Sequence, residues 1–308
     1  MDFVQDLLLG GTSGVIAKTA CAPLERVKIV LQTQSANTQI TAEKQYRGIT
    51  NTFSRIASEQ GVASFWRGNL ANCLRYFPTQ AINFACKEKY QAFFVRPEAE
   101  VGFARFFAGY LLAGGAAGAT SLTVSYPLEY CYTRLAADVG GPDGKRLYSG
   151  IGDCIAKTFK SDGIRGLYRG YGPSVAGIVV YRAGYFGLYD YAKTSLIPSL
   201  QTTYGLTHGP LIVAKFFVAL GIDIFSAMAA YPLDTVRRNI MMQSGRKAED
   251  VLFKGSLGCL KYIVSRDGVS GLYKGALMNN FRAIGSALVL IVYDELRDYF
   301  KPGSKKGH

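Results

Sequence analysis

Three basic residues stand where an apolar chain should not carry them. Lys18, Arg75 and Arg282 each fall inside a long run of small and apolar residues, and an ionised group at mid-depth of such a helix is costly unless it faces water or a partner. Snorkelling or ion pairing would explain them one at a time. Convergence on a water-filled cavity would explain them together, as a cradle for an anion. Arg75, Thr79 and Asn83 step by four along one helix face, as do Gly177, Tyr181, Tyr185 and Tyr189. An aromatic and polar stripe opposite a cationic cluster suits a ligand with a flat ring at one end and phosphates at the other. Packing alone is the competing reading of the tyrosines. A second chemistry lies in PLERVK at 23–28, PLEYCY at 127–132 and PLDTVR at 232–237. Pro23 is expected to bend or break its helix, leaving Glu25 and Lys28 on one face of the following turn. Arranged about a threefold axis, the acid of one motif can pair with the base of the next and close one end of a cavity as a gate.

The elements that position these residues are written three times. Pro23, Pro127 and Pro232 are separated by 104 and 105 residues, and GVASFWRG, GIRGLYRG and GVSGLYKG recur at 61–68, 163–170 and 268–275. A third mark is Tyr46-Arg47-Gly48, Tyr148-Ser149-Gly150 and Phe253-Lys254-Gly255. The reading is one body of three repeats, 1–100, 101–205 and 206–301, with a short basic tail at 302–308. Apolar segments precede each proline (Phe3 to Ala22, Phe103 to Tyr126, Leu211 to Tyr231) and follow each second mark (Asn69 to Phe94, Tyr171 to Ile197, Ala276 to Phe300). Each has the roughly twenty residues that span a bilayer as a helix. The expected fold is therefore an all-α membrane protein with six transmembrane helices. Gly10 with Gly14, and Gly114 with Gly118, have the four-residue spacing that lets helix backbones approach one another in lipid. The three long connections hold four, six and six Lys or Arg residues, whereas the two short ones hold only Arg96. That alternation orients six spans with both termini on the side opposite the long loops. Ile49, Phe53 and Ile56, Ile151, Ile155 and Phe159, and Leu257, Leu260 and Ile263 recur at helical spacing, so each long loop should hold a short interfacial helix.

Composition narrows the function. With 49% hydrophobic but only 19% charged residues and a net charge of +13 over 308 residues, the chain is apolar yet suited to an anionic partner. Its basic residues follow the loop alternation instead of forming one stripe with interleaved aromatics, which argues against nucleic acid. Two histidines and six scattered cysteines without a CxxC pair give no expectation of a metal, a disulfide framework or an enzyme's nucleophile. The segment from Gly11 to Thr19 lacks both the glycine before Lys18 and the preceding strand of a phosphate loop. The opening MDFVQDLLLGG has neither a signal peptide's basic flank nor the Arg-rich character of a transit peptide, so an organelle address is expected to be internal.

Across essentially its whole length the chain resembles the mitochondrial carrier family. The signature P-x-[DE]-x-x-[KR] is met by PLERVK and PLDTVR and half met by PLEYCY. KTACAPLERVK, FWRGNLANCLRYFPTQAINFA, RLAADVG, YRAGYFGLYD and YPLDTVRR are similar to the branch that exchanges ADP for ATP across the inner membrane. The resemblance implies that Lys18, Arg75 and Arg282 hold phosphates. It also implies that Gly177, Ile178 and Tyr181 receive adenine, with Asn83 and Tyr185 nearby. It implies a matrix gate of Pro23, Glu25, Lys28, Pro127, Glu129, Pro232, Asp234 and Arg237. A cytoplasmic gate would use Asp190 with Lys193 and Asp294 with Arg297, while Glu88 is followed by Gln91 where a base is expected. Each gate should lose one bridge, the matrix gate at Tyr132. Arg237 and Arg238 open the branch's RRRMMM signature, from which Asn239 and Ile240 depart, and Ala230 stands where serine is usual. Arg67, Gly68, Arg169, Gly170, Lys274 and Gly275, with Gly48, Gly150 and Gly255, precede helices whose free N–H groups suit phosphate, so cardiolipin headgroups are expected between repeats. The functional expectation is ADP/ATP antiport at the mitochondrial inner membrane, with both termini in the intermembrane space. The second reading is a carrier-derived structural or docking subunit of a larger inner-membrane complex.

Overall fold

The computed structural model describes residues 3–96, 98–141, 144–204 and 208–281, and among them the regular structure is helical. Each repeat has a long helix containing the motif proline and a short helix, and the first two have a second long helix. The first is α1 (Phe3–Thr33), α2 (Gly48–Gln60) and α3 (Asn69–Phe94). The second is α4 (Glu98–Ala137), α5 (Ile151–Leu167) and α6 (Tyr171–Tyr191), extended through a π-helical turn into α7 (Ile197–Tyr204). The third has α8 (His208–Met241) and α9 (Gly255–Asp267), and residues 276–281 open a further helix. Arg282, Asp294 and Arg297 lie outside the described residues.

Neighbours follow chain order around a ring: α1 packs on α3, α3 on α4, α4 on α6 and α6 on α8. The three proline-bearing helices α1, α4 and α8 also touch one another and close the ring at one end. Two helical stretches, Arg105–Ala137 and Val213–Met241, are long and apolar enough to cross a bilayer, with mean hydropathy 1.2 and 1.8. Burial is inverted relative to a water-soluble protein. Leu70, Leu74, Leu112, Val124, Phe216, Phe217 and Phe225 face outward, whereas Asn72, Ser121, Ser125, Glu129, Ser226 and Asn239 are buried. Where hydrocarbon is the solvent, polar groups belong inside and apolar ones lose nothing by facing out.

Local structure corrects three sequence expectations. Of the expected bend or break, the break does not occur: Pro23, Pro127 and Pro232 each lie inside a helix that runs on past them, and the non-helical residue of α4 is Gly102; the missing N–H costs one hydrogen bond, which packing on two neighbouring helices offsets. The glycines at helical spacing admit side chains instead of backbones. A Cβ on Gly14 would meet the Tyr76 ring at 2.5 Å, and Gly114 and Gly118 make room for Arg182 and Ile178. On the short helices the buried stripe is Thr52 and Ile56, Cys154 and Thr158, and Cys259 and Ile263, while Phe159 and Leu257 face outward. These helices lie at an interface that has two apolar sides, protein and lipid, so apolar spacing alone does not choose the inner face.

The recurrent glycines have a backbone cause. Gly68, Gly170 and Gly275, each just ahead of a long helix, have φ of 81–85°, a region open to glycine at little cost. Each also abuts the next repeat's motif: a Cβ would lie 3.0 Å from the Tyr132 carbonyl oxygen at Gly68, 2.7 Å from that of Arg237 at Gly170, and 3.1 Å from that of Lys28 at Gly275. Gly48 has φ 80° but open space around its Cβ position. Gly48→Ala should therefore cost about 1–2 kcal/mol of backbone strain. Gly170→Ala should add a clash of about 1–3 kcal/mol. The larger fall in melting temperature for Gly170→Ala, measured on detergent-solubilised protein, checks this ordering.

Candidate functional site

The helices surround a polar cavity of about 540 Å³. Its floor is built by the proline motifs. Because α1, α4 and α8 meet there, the acid of each motif reaches the third residue beyond the acid of the next. Glu129 pairs with Arg237 at 3.1 Å and Asp234 with Lys28 at 3.0 Å. The third link is neutral: the Tyr132 hydroxyl donates to Glu25 at 2.5 Å. Tyr132 thus leaves the ring one ion pair short but not open. Gln32, one turn beyond Lys28, donates to Asp234 and to the Thr235 hydroxyl at 3.0 and 2.9 Å. Asp234 is further approached by Arg237 at 2.7 Å and Arg238 at 3.3 Å. Buried carboxylates are tolerable only when each is surrounded by donors in this way.

Above the floor, two of the three intramembrane cations converge. Asn72 on α3 accepts from Lys18 on α1 at 3.4 Å and from Arg75 at 3.0 Å, and its amide donates to Glu25 at 2.8 Å. Arg75 also pairs with Glu129 at 2.9 Å, so one guanidinium touches both the cavity and the floor. Across the cavity Gly177, Ile178 and Tyr181 line the α6 wall, and Asn83 lines the α3 wall with its carbonyl oxygen buried and unbonded among the described residues. Tyr185 lies outside the lining and stacks on Tyr181 with centroids 6.0 Å apart, and Tyr189 continues the stack at 5.9 Å.

At the opposite end, Glu88 and Lys193 are exposed, and no ion pair among the described residues joins them. Asp190 closes α6 one residue before its end. The floor is assembled in this structure. Around the short helices, Arg67 pairs with Asp138 at 2.8 Å, Arg169 with Asp162 at 2.9 Å and Lys274 with Asp267 at 2.9 Å. Gly48 and Gly255 have positive φ ahead of α2 and α9, whereas Gly150 is extended.

Sequence reasoning missed Asn72, Gln32 and the Tyr132 hydroxyl as structural partners. Asn72 and Gln32 carry a signal, since each lies one turn from a chemically marked residue: Asn72 from Arg75, Gln32 from Lys28. Arg182 and Asp223 stand out in the sequence as charges within apolar spans, but their spacing gives them no role; both line the cavity.

Three helical repeats around one cavity, cations in its wall and an ionic floor beneath them define a membrane solute carrier. The chain belongs to the mitochondrial carrier family: the profile described as "Mitochondrial carrier protein" matches residues 1–98, 104–200 and 210–304. Members of this family are transporters, not enzymes. The chain is 50% identical over 300 residues to ADP/ATP translocase 2 of Bos taurus, covering 97% of this chain and 98% of that one. It is 50% identical over 298 residues to ADP/ATP translocase 3 of Homo sapiens, covering 96% and 97%. Mitochondrial substrate carrier family protein ancA of Dictyostelium discoideum is 51% identical over 295 residues, covering 96% and 93%.

Two outcomes follow from this geometry. Tyr132→Phe removes a donor from the half-buried Glu25 carboxylate and should cost about 1.5–3 kcal/mol, read as a lower melting temperature. Tyr132→Arg should recover that loss. Burial alone would raise the Asp162 and Asp267 carboxyls, but Ser244, the Gly245 amide and Arg169 around Asp162, and Lys274 and Ser35 around Asp267, hold both below the usual 3.8. Their contribution to stability is therefore present above that value and lost as pH falls through the lower folded values. The melting temperature should fall below about pH 4, and less steeply in Asp162→Asn and Asp267→Asn.

Proposed function

We propose that the protein exchanges ADP for ATP across the mitochondrial inner membrane by alternating access, with both termini in the intermembrane space. The observation that carries this reading is the convergence of Lys18 and Arg75 on Asn72, across the cavity from Gly177, Ile178 and Tyr181. Phosphates would lie against the two cations, with Arg282 as the third, and adenine against the α6 wall. Relatives at 50% identity named ADP/ATP translocase support the same substrate pair.

The Arg75–Glu129 ion pair gives substrate a route to the gate. A phosphate drawing Arg75 toward itself removes one of the two bases on Glu129, and the remaining Arg237 link becomes easier to part. Opening then costs least when nucleotide is bound, which makes exchange obligatory. Glu88, Asp190, Lys193, Asp294 and Arg297 would form the alternate gate once the floor has opened. Cardiolipin headgroups would sit at the glycine-led helix starts near Gly48, Gly150 and Gly255 and near Gly68, Gly170 and Gly275, where backbone N–H groups and the helix dipole suit phosphate.

The docking-subunit reading rests on departures from the family pattern at Tyr132, Gln91, Ala230 and Asn239. Two are absorbed locally: Tyr132 keeps its link to Glu25, and Asn239 donates to the Gln32 and Thr235 carbonyls at 3.0 and 2.8 Å. Transport is therefore the better supported reading.

Purified protein in cardiolipin-containing liposomes loaded with ADP or ATP should take up labelled ADP only when internal nucleotide is present. Arg75→Ala should reduce uptake at least about tenfold, the loss of one charge-assisted contact. No exchange from folded protein would overturn the proposal. Stripping the lipid should lower the melting temperature, and an unchanged value would remove the cardiolipin role.

A further inference from the structure

Nine residues before each motif proline stand Gly14, Gly118 and Asp223. In the first two repeats this position is emptied to admit a side chain from the next long helix, Tyr76 at Gly14 and Ile178 with Arg182 at Gly118. In the third it carries an acid. Asp223 lines the central cavity from α8, half-buried, and accepts a hydrogen bond from the Tyr181 hydroxyl at 2.5 Å. Among the described residues no base lies within ion-pair distance of it. An unpaired carboxylate at mid-span is expensive. A carboxylate has about four acceptor sites, of which the tyrosine fills one.

The surroundings say what would fill another. One and two turns nearer the floor on α8, Ala227 and Ala230 line the cavity, as do Gly177 and Ile178 of the neighbouring α6. Gly177, Ala227 and Ala230 carry little or no side chain, so this wall leaves room for a flat group beside the Tyr181–Asp223 pair. A ring laid against it presents its edge to a carboxylate that accepts but cannot donate.

We infer that Asp223 determines specificity in the base subsite: it accepts a hydrogen bond from the exocyclic amine of the bound nucleobase and disfavours a base with a carbonyl at that edge. The same charge repels phosphates from the α6–α8 wall and holds them on the Lys18–Arg75 side, so the nucleotide enters in one orientation. Tyr181 is a positioning residue, its hydroxyl fixing the carboxylate. This inference rests on the nucleotide reading of the cavity and adds the atom that recognises the base.

The test is binding, which does not depend on transport. Displacement of labelled ADP from the full-length protein in detergent would be measured with ADP, with purine riboside 5′-diphosphate, which lacks the amine, and with IDP, which has a carbonyl in its place. ADP should bind about ten to a hundredfold more tightly than either analogue, the worth of a hydrogen bond to a charged acceptor. Asp223→Ser should shrink the preference to about threefold or less, with the unliganded melting temperature retained, and Asp223→Glu should keep it. Inorganic pyrophosphate should compete better against Asp223→Ser than against the parent protein. Equal binding of ADP and purine riboside diphosphate by the unaltered protein would overturn the inference whatever the variants do, as would an unchanged preference in folded Asp223→Ser. Selective binding without exchange in liposomes would sink the transport reading and leave this one standing.

Discussion

A carboxylate held between helices is stable only while its neighbours supply donors, and three such carboxylates, Glu129 buried and Glu25 and Asp234 half-buried, set the architecture of this molecule. Glu25, Glu129 and Asp234 each project from a proline-bearing helix toward the next, so α1, α4 and α8 must converge for any of them to be satisfied. The convergence closes one end of the ring. The cavity, its cations and the tyrosine stack are where they are because the floor is where it is. The ring also tolerates a neutral member. A phenol donating to Glu25 meets the carboxylate's need for a hydrogen bond while dropping the long-range attraction of a full charge. The floor is held by hydrogen-bond satisfaction at all three joints and by ion pairing at two.

Charge placement extends this logic upward. Asn72 is the hinge point of the cavity's electrostatics, accepting from Lys18 and Arg75 and donating to Glu25. An amide can do both at once, so cations that would repel one another are held beside the acid that offsets them. A bound anion would compete with Asn72 and Glu129 for the same guanidinium. Binding and gating thus draw on one set of groups instead of communicating over a distance.

Much of the architecture follows from periodicity that any reader of the chain can measure: proline spacing marks three repeats, and the family profile matches three segments of the chain. The residues that the repeat marks pick out, Glu25, Glu129, Asp234, Lys28 and Arg237, meet in one ring. What spacing could not supply was the identity of partners. Nothing in the order of residues says that Tyr132 faces Glu25 with its hydroxyl, or that Arg75 reaches Glu129 across two helices. The glycine pairs misled because their spacing reports only that something must come close. Here the incoming groups are Tyr76 and Arg182. Phe159 and Leu257 misled for a related reason: hydropathy separates apolar from polar, and it cannot separate lipid from protein.

The glycines ahead of α3, of α6 and of the helix that starts at residue 276 carry a consequence for how this chain can change over time. Gly68, Gly170 and Gly275 rest against the main-chain oxygens of Tyr132, Arg237 and Lys28, the gate position of the following repeat. What each neighbour reads there is peptide, common to every amino acid. The glycine's fit between repeats therefore does not depend on which side chain stands at that position. Substitution at the gate leaves this backbone contact intact while it changes the bonds that hold the floor closed. A lineage can retune the energy barrier to opening residue by residue without rebuilding the barrel that surrounds it.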